Sequence, residues 1–367
     1  MSGTSLDGVD AVLVEFSGAT QALQVCGHIS HAFTAALRQE LMALNQAGDN
    51  ELHRSCLAAN DVSRAYARAT QALLEATRQK PESIRALGAH GQTVRHRPGE
   101  FDGNGYTSQL LNGALLAELS SIDVVCDFRS RDVAAGGQGA PLVPGFHAAV
   151  FDKPGLTQAV LNLGGMANLS LLSGDGSVLG FDCGPGNVLL DLWTERHLGQ
   201  AYDADGAWAA GGKVDQPLLA RLLEDSFFSR PPPKSTGRDL FNAHWLTTKL
   251  TGCEQRPERL PQDIQTTLAE LTVQAATDAL KRHQSGTQRL LVCGGGALND
   301  YLMQRLAALM PDAQVQSTIS MGLPPLVVEA AAFAWLAKAG LNRRPSNCPD
   351  VTGACGHRIL GALYAGH

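Results

Sequence analysis

Asp182 stands in the string GFDCGPGN, where a carboxylate leaves an apolar run and enters a rigid turn set by Pro185. A carboxylate so placed can take a proton from a nucleophile during phosphoryl transfer, although capping the turn would use the same residue. The chain is rich in loops of the kind phosphate needs. Twelve of its 39 glycines fall in five short stretches: Gly3 and Gly8; Gly136, Gly137 and Gly139; Gly164 and Gly165; Gly184 and Gly186; and Gly294, Gly295 and Gly296. Without a Cβ in the way, backbone N–H groups can converge on phosphate oxygens. MSGTSLDGVD adds the hydroxyls of Ser2, Thr4 and Ser5 and the carboxylates of Asp7 and Asp10. Hydroxyls suit phosphate, and an aspartate suits Mg²⁺ or its water shell; a capped N-terminal turn is the plainer alternative. Neither G-x-x-x-x-G-K-[ST] nor a strand–G-x-G-x-x-G–helix unit is present, which disfavours a P-loop and a dinucleotide oxidoreductase.

Four further groups could meet a ligand. Arg129, Arg131 and Asp132 crowd together in DFRSRD, as an anion clamp or a surface ion-pair cluster. His90, Gln92 and Thr93 in GAHGQTV suit a sugar or ordinary loop closure. Glu329 opens an otherwise apolar helix, and Lys234 lies in PPPKSTGRD, too polar for core and suited to a mobile element touching the ligand.

Strands and helices must position these residues. Apolar runs at 9–16 and 22–30 read as a strand pair, and 32–46 and 60–79 read as helices. Val62, Ala65, Ala69, Ala72 and Leu73 keep helical spacing on the second helix. FDGNGYTSQL reads as a turn entering a helix over 107–119, followed by the strand IDVVCDF. Runs at 158–163, 167–173 and 177–182 read as three strands on tight glycine connections, with a helix over 188–198. A long helix over 261–283, the strand RLLVC and helices over 298–310 and 325–339 complete the pattern. This is an α/β chain, and its 367 residues suit two domains, with a boundary near 125–150 and a ligand cleft between them.

Composition narrows the function. Lys+Arg 29 against Asp+Glu 35 gives a net charge of -6, with no basic surplus for a nucleic acid or an anionic membrane. None of the eight cysteines forms a C-x-x-C pair, and several lie in apolar runs, which predicts free thiols in a reducing compartment rather than a zinc or disulfide scaffold. His28 and His31 lack a second ligand pair. With no leader-like or membrane-spanning stretch, a cytoplasmic location is expected.

MSGTSLDGVD, GAHGQTV, DFRSRDVAAGGQGAPLVP, LNLGGMANLS, FDCGPGN, PPPKSTGRD, LVCGGGALN, EAAAFAWLA and NCPDVTGA together closely resemble the anhydro-N-acetylmuramic acid kinase family, nearly end to end. The resemblance implies two ribonuclease-H-like domains around an ATP cleft, as in actin, Hsp70 and the sugar kinases. It implies an N-terminal lobe over 1–127 and a C-terminal lobe over 128–367, with the last helix returning to the first. The implied reaction takes 1,6-anhydro-N-acetylmuramic acid, ATP and water to N-acetylmuramic acid 6-phosphate and ADP in cell-wall recycling.

Asp182 matches the family's catalytic base. Gly3, Thr4, Ser5, Leu6, Asp7 and Gly8 match its first phosphate loop, Gly164, Gly165 and Asn168 its second, and Gly294, Gly295, Gly296 and Asn299 the segment beside the nucleoside. The sugar pocket would draw on His90, Gln92, Arg131 and Glu329, with Arg131 toward the lactyl carboxylate. ATP and Mg²⁺ are implied cofactors, Asp7 being the residue nearest the metal's role, and a homodimer is the implied assembly. Three departures stand out. Cys183 replaces the usual Thr, GLPPLVVEA is more apolar than is usual before the glutamate, and the short strand that usually precedes MSGTSLDG is missing. That last departure is expected to reflect either a start placed too far downstream or a truly shortened protein; folded as given, the chain is expected to have a looser first loop and weaker ATP binding.

Overall fold

The computed structural model describes residues 1–3, 6–17, 23–238, 240–251 and 260–366, so Thr4 and Ser5 lie outside the described residues. The strands are β1 (Gly8–Phe16), β2 (Leu23–Ala32), β3 (Leu87–Gly88), β4 (Gln92–Pro98), β5 (Gly105–Leu110), β6 (Val124–Cys126), β7 (Gln158–Leu163), β8 (Met166–Leu172), β9 (Val178–Pro185), β10 (Arg289–Cys293), β11 (Gln314–Ser317) and β12 (Ala362–Tyr364). The chain divides into two compact units, Met1–Val150 with Val327–His367, and Phe151–Leu326. The division differs from the expected lobes 1–127 and 128–367. Residues 128–150 stay with the first unit because Phe128 packs on Phe333 at 5.5 Å between ring centroids, and Asp132 is bonded by Asn347 and Thr352. The C-terminal segment belongs there too, since β12 pairs antiparallel with β6.

In the first unit β1 and β2 form an antiparallel pair, while β12, β6 and β3 form a separate sheet in that order. The helix Glu51–Thr77 buries Ala58, Val62, Ala65, Tyr66, Ala69 and Leu73, most of them on the stripe read from the sequence. A cavity of about 730 Å³ separates β1 from the Ser83–Ala89 segment, lined by Leu73 and Leu74 of that helix and Ala334 and Ala337 of the helix Val328–Leu341. The helix expected over 107–119 is a correction. β5 pairs with β4 as a hairpin, and the helix starts only at Gly113. Asp102 Oδ1 accepts from the N–H groups of Asn104 (3.0 Å) and Gly105 (2.8 Å), closing the hairpin turn, and Asn112 caps the later helix through Leu115 N–H at 3.0 Å.

The second unit holds one five-stranded sheet, in the order β11-β10-β7-β8-β9. β7, β8 and β9 form an antiparallel meander, and β10 and β11 join on the β7 side as parallel strands. This is the ribonuclease-H-like strand arrangement. The helix Pro261–His283 buries Ile264, Leu268, Leu271, Ala275 and Ala279, the stripe expected from their spacing. Phe227, Phe241 and Trp245 stack edge to face beside it, with centroids 5.6 and 5.1 Å apart. No helix among the described residues is long and apolar enough to cross a membrane.

Candidate active site

In the second unit β9 delivers Asp182. Ladder pairing with β8 sets it opposite Asn168, and the register shifts between Ala167 and Asn168 just beyond. The segment Lys234–Thr236 runs alongside: Asp182 N–H donates to Lys234 O (3.1 Å), and Thr236 N–H donates to Asp182 Oδ2 (2.8 Å). Burial pushes the Asp182 carboxyl up to about 6, against the opposing pull of that N–H and of the Lys234 ammonium. The Thr236 hydroxyl is buried with no hydrogen-bond partner among the described residues. Lys234, expected in a mobile element, instead anchors this segment. Its ammonium donates to Phe227 O (3.1 Å) and Phe228 O (3.4 Å) and lies 4.6 Å from the centre of the Phe227 ring.

Three glycine loops gather beyond the strand ends. The N–H groups of Gly186 and Val188 donate to Gly165 O at 3.0 and 3.1 Å, and that of Asn187 to Gly164 O at 2.8 Å. A Cβ on Gly186 would lie 2.3 Å from Gly164 O, so only glycine permits this approach. Gly294, at φ +80°, passes so close to β7 that a Cβ would meet Asn162 Oδ1 at 2.5 Å and Leu163 backbone at 2.7 Å. The structure thus brings together Gly164, Gly165, Gly294, Gly295 and Gly296. Asn299 has a local task, its Oδ1 accepting from Leu302 N–H at 3.0 Å as the cap of the helix Asp300–Leu309. The Cys183 thiol is buried 3.4 Å from Ala167 O, and burial raises its pKa far above the ordinary thiol value.

The first unit collects the other candidates. Gln92 Nε2 donates to Gly3 O (3.1 Å), and its Oε1 is buried without a partner among the described residues. His90 Nδ1 lies 3.2 Å from Ser2 O, and its Nε2 takes the Arg129 guanidinium at 3.0 and 3.1 Å. Arginine can only donate, so Nε2 is the acceptor and Nδ1 carries the hydrogen. Both ring nitrogens are therefore spent within the protein. Burial, then the Arg129 charge, lowers the His90 pKa well below its ordinary value and keeps the ring neutral. Arg131 has no hydrogen bond or ion pair among the described residues, whereas Asp132 is locked in place by Gly139 N–H (2.8 Å), Asn347 (2.9 Å) and Thr352 (2.9 Å). Glu329, in the first turn of its helix, has its pKa raised by burial and opposed by Arg129 and the N-terminal amine.

Leu6 is buried at φ +59°, and Gly8 runs so close to β2 that a Cβ would meet His31 O at 2.2 Å. Asp7 is exposed and ion-paired with Arg38 at 3.6 Å. Among the described residues no group of three or more His, Cys, Asp or Glu could hold a metal ion by itself, and the described cysteines are free thiols. Sequence reasoning missed Thr236 and Arg129 as partners of the chemistry-bearing residues. Both lie inside strings it had singled out, but main-chain donation and a buried guanidinium leave no mark on spacing.

Glycine loops packed at the end of a ribonuclease-H-like sheet, beside a carboxylate of raised pKa, define a phosphoryl-transfer enzyme. The chain belongs to the anhydro-N-acetylmuramic acid kinase family, whose profile matches residues 1–366. It is 55% identical to the anhydro-N-acetylmuramic acid kinase of Albidiferax ferrireducens, covering 99% of this chain and 97% of that one. The kinase of Variovorax paradoxus is also 55% identical, over 99% and 97%, and that of Nitrosomonas europaea 49% identical, over 99% and 98%. Among solved structures, the activator of 2-hydroxyisocaproyl-CoA dehydratase from Clostridium difficile with bound ADPNP aligns over 88% of this chain and 91% of that one, at 10% identity and a TM-score of 0.44.

Proposed function

We propose that this enzyme opens the 1,6-anhydro bridge of 1,6-anhydro-N-acetylmuramic acid and phosphorylates O6 from ATP, a step of cell-wall recycling. Asp182 takes a proton from water, and the water oxygen bonds to the anomeric carbon as the C1–O6 bond breaks. O6, carrying the released electron pair, bonds to the γ-phosphorus while the bond to the β–γ bridging oxygen breaks, so ADP leaves. The products are N-acetylmuramic acid 6-phosphate and ADP. The carrying observation is the Asp182 carboxyl itself, held by Thr236 N–H at 2.8 Å and shifted up to about 6. A base whose pKa lies near working pH is both deprotonated enough and basic enough to act.

ATP phosphates suit the backbone of Gly164, Gly165, Gly294, Gly295 and Gly296 and of the first loop around Gly3 and Gly8. Mg²⁺, when carried in on ATP, neutralises charge between the β- and γ-phosphates. The exposed carboxylate of Asp7 fits contact through that ion's water shell, the oxygen-donor chemistry magnesium prefers. On the sugar side, Arg131, with no partner among the described residues, suits the lactyl carboxylate, and Gln92 Oε1, likewise unpartnered among them, suits a hydroxyl or amide donor. Glu329 completes that set, whereas His90, expected there, spends both ring nitrogens on Ser2 and Arg129 and stands behind the site rather than in it. A cytoplasmic homodimer is the assembly this reading carries, checked by sedimentation of the purified chain.

The decisive assay supplies ATP and the anhydro sugar to the wild type and to Asp182→Asn, following ADP and the sugar 6-phosphate. The variant is expected to lose about 10²- to 10⁴-fold in kcat while still binding both ligands, the range for a general base. Equal turnover by the two proteins would reject the role of Asp182.

A further inference from the structure

Four of the motif strings meet in one chain of hydrogen bonds within the first unit. It starts at the backbone of the first glycine loop, where Ser2 O lies 3.2 Å from His90 Nδ1. It passes through His90 Nε2 to the Arg129 guanidinium at 3.0 and 3.1 Å, and Arg129 Nη1 donates on to Gly139 O at 2.7 Å. Gly139 N–H returns to Asp132 at 2.8 Å, and Asp132 is fixed by Asn347 and Thr352, each at 2.9 Å. Both backbone groups of Gly139 are thus fixed from Arg129 and Asp132, side chains three positions apart.

The loop end of this chain is held from other directions as well. Ser2 is buried, its hydroxyl donates to Gly91 O at 2.8 Å, and it lies 3.0 Å from the Tyr66 hydroxyl. Gln92 Nε2 holds Gly3 O at 3.1 Å. Two residues from the engaged Arg129, Arg131 has no partner among the described residues. The two arginines therefore have different work: one is spent inside the protein, and the other is open to an anion.

We propose that Arg129 and His90 are positioning residues for ATP binding: they set the backbone of Ser2 and Gly3, and through it the first glycine loop, without touching either substrate. The proposal rests on the reading of that loop as an ATP element. His90 acts as a spacer with a fixed direction, because its donor faces the loop and its acceptor faces the guanidinium. Charge is secondary to geometry here, since the ring is neutral. Two amide replacements divide the ring's functions. Asparagine places a donor near the Nδ1 position and gives up the Arg129 contact, while glutamine reaches toward the Nε2 position and gives up Ser2.

The test measures KM for ATP, KM for the anhydro sugar, kcat and Tm for full-length His90→Asn, His90→Gln, Arg129→Ala, Arg129→Lys and Gly3→Ala. His90→Gln and Arg129→Ala are expected to raise KM for ATP about tenfold, leaving the sugar KM and kcat within about twofold. His90→Asn, which keeps the Ser2 bond, should lie nearer the wild type than His90→Gln. Arg129→Lys should recover part of the loss, because one ammonium cannot span both His90 and Gly139. A lower Tm with unchanged kinetic constants in folded His90→Gln and Arg129→Lys would overturn the proposal, as would a rise confined to the sugar KM. If Gly3→Ala raises KM for ATP and the His90 and Arg129 variants do not, only the positioning role fails. If none of them, Gly3→Ala included, changes it, the assignment of the loop to ATP is what has failed.

Discussion

The two units hold their glycine loops by different means. In the second unit the sheet is continuous: β7 pairs with β8 on one edge and β10 on the other, with Arg289↔Gln158 through Cys293↔Asn162 in parallel register. Its loops are the ends of that ladder, joined backbone to backbone by Gly186, Asn187 and Val188. In the first unit β1 pairs with β2 and β3 with β6, and a cavity of about 730 Å³ lies between β1 and the Ser83–Ala89 segment. There the loop start has a single backbone rung, Met1 with Asp10, and otherwise depends on side chains from Tyr66, His90 and Gln92. Backbone ladders tolerate side-chain change but no added bulk at a close approach. Side-chain braces have the opposite sensitivity.

The largest expected effect strikes the backbone-held loop. Gly186→Ala would force its Cβ to 2.3 Å from Gly164 O, and no flexible atom is present to yield. Overpacking of this kind costs about 3 kcal/mol, with kcat falling as the Asp182 strand end shifts. Thermal melting and turnover check it together. A variant with wild-type Tm and kcat would show that the second unit's loop is no more rigidly built than the first.

Next comes the carboxylate that the continuous sheet presents. With the Asp182 pKa near 6, kcat/KM should climb about tenfold between pH 5 and pH 7 and then level off, because the base works only when deprotonated. The same shift has a stability sign. Raised from 3.8, the folded-state group binds its proton more tightly than the unfolded chain does, so its contribution to stability is present at low pH and lost as pH rises through about 4 to 6. A flat rate profile across that window would break the link between the burial of Asp182 and its chemistry.

A third prediction attacks the asymmetry directly. Met1 and Asp10 exchange both backbone bonds, each 2.8 Å, and so already form one antiparallel rung beside β1. Fusing an apolar extended segment of about six residues to Met1 should continue that ladder into the cavity, raise Tm by a few degrees and lower KM for ATP several-fold. A Gly/Ser segment of equal length is the control. An unchanged KM with the apolar fusion would sink the idea that sheet continuity tightens the first loop.

Legibility in the sequence followed the same division. The meander β7–β9 was readable because its apolar runs are long and punctuated by glycine, and the helix Pro261–His283 because Ile264, Leu268 and Leu271 keep one face. In the first unit β3 is only Leu87–Gly88, too short for any period to register. The β4–β5 hairpin was hidden because polar Thr107, Ser108 and Gln109 precede the Asn112 cap and carry no strand alternation of apolar residues. Asp182 was legible as a carboxylate at a strand end, yet its partner is a main-chain N–H at Thr236, which composition cannot announce. Arg129 and Arg131 looked alike in DFRSRD; only tertiary contacts with His90 and Gly139 tell them apart.

The smallest effect is expected at Cys183, beside the proposed base Asp182, where the family resemblance led to the expectation of threonine. The thiol is fully buried on the β9 ladder, and its sulfur lies 3.4 Å from Ala167 O, a weak donation to a main-chain acceptor. Burial, with the Asp182 charge adding to it, raises the thiol pKa so far that it stays protonated and unreactive. Cys183→Thr replaces the thiol by a hydroxyl that can donate to the same carbonyl and adds a methyl in a tight core. The gain of a stronger bond and the cost of the extra methyl, each about 1 kcal/mol, nearly offset. Tm should move by a few degrees at most, and kcat should stay within about twofold. A larger change in kcat at unchanged Tm would mean that position 183 reaches Asp182 electrostatically, making the backbone-held site as dependent on its side chains as the first loop is.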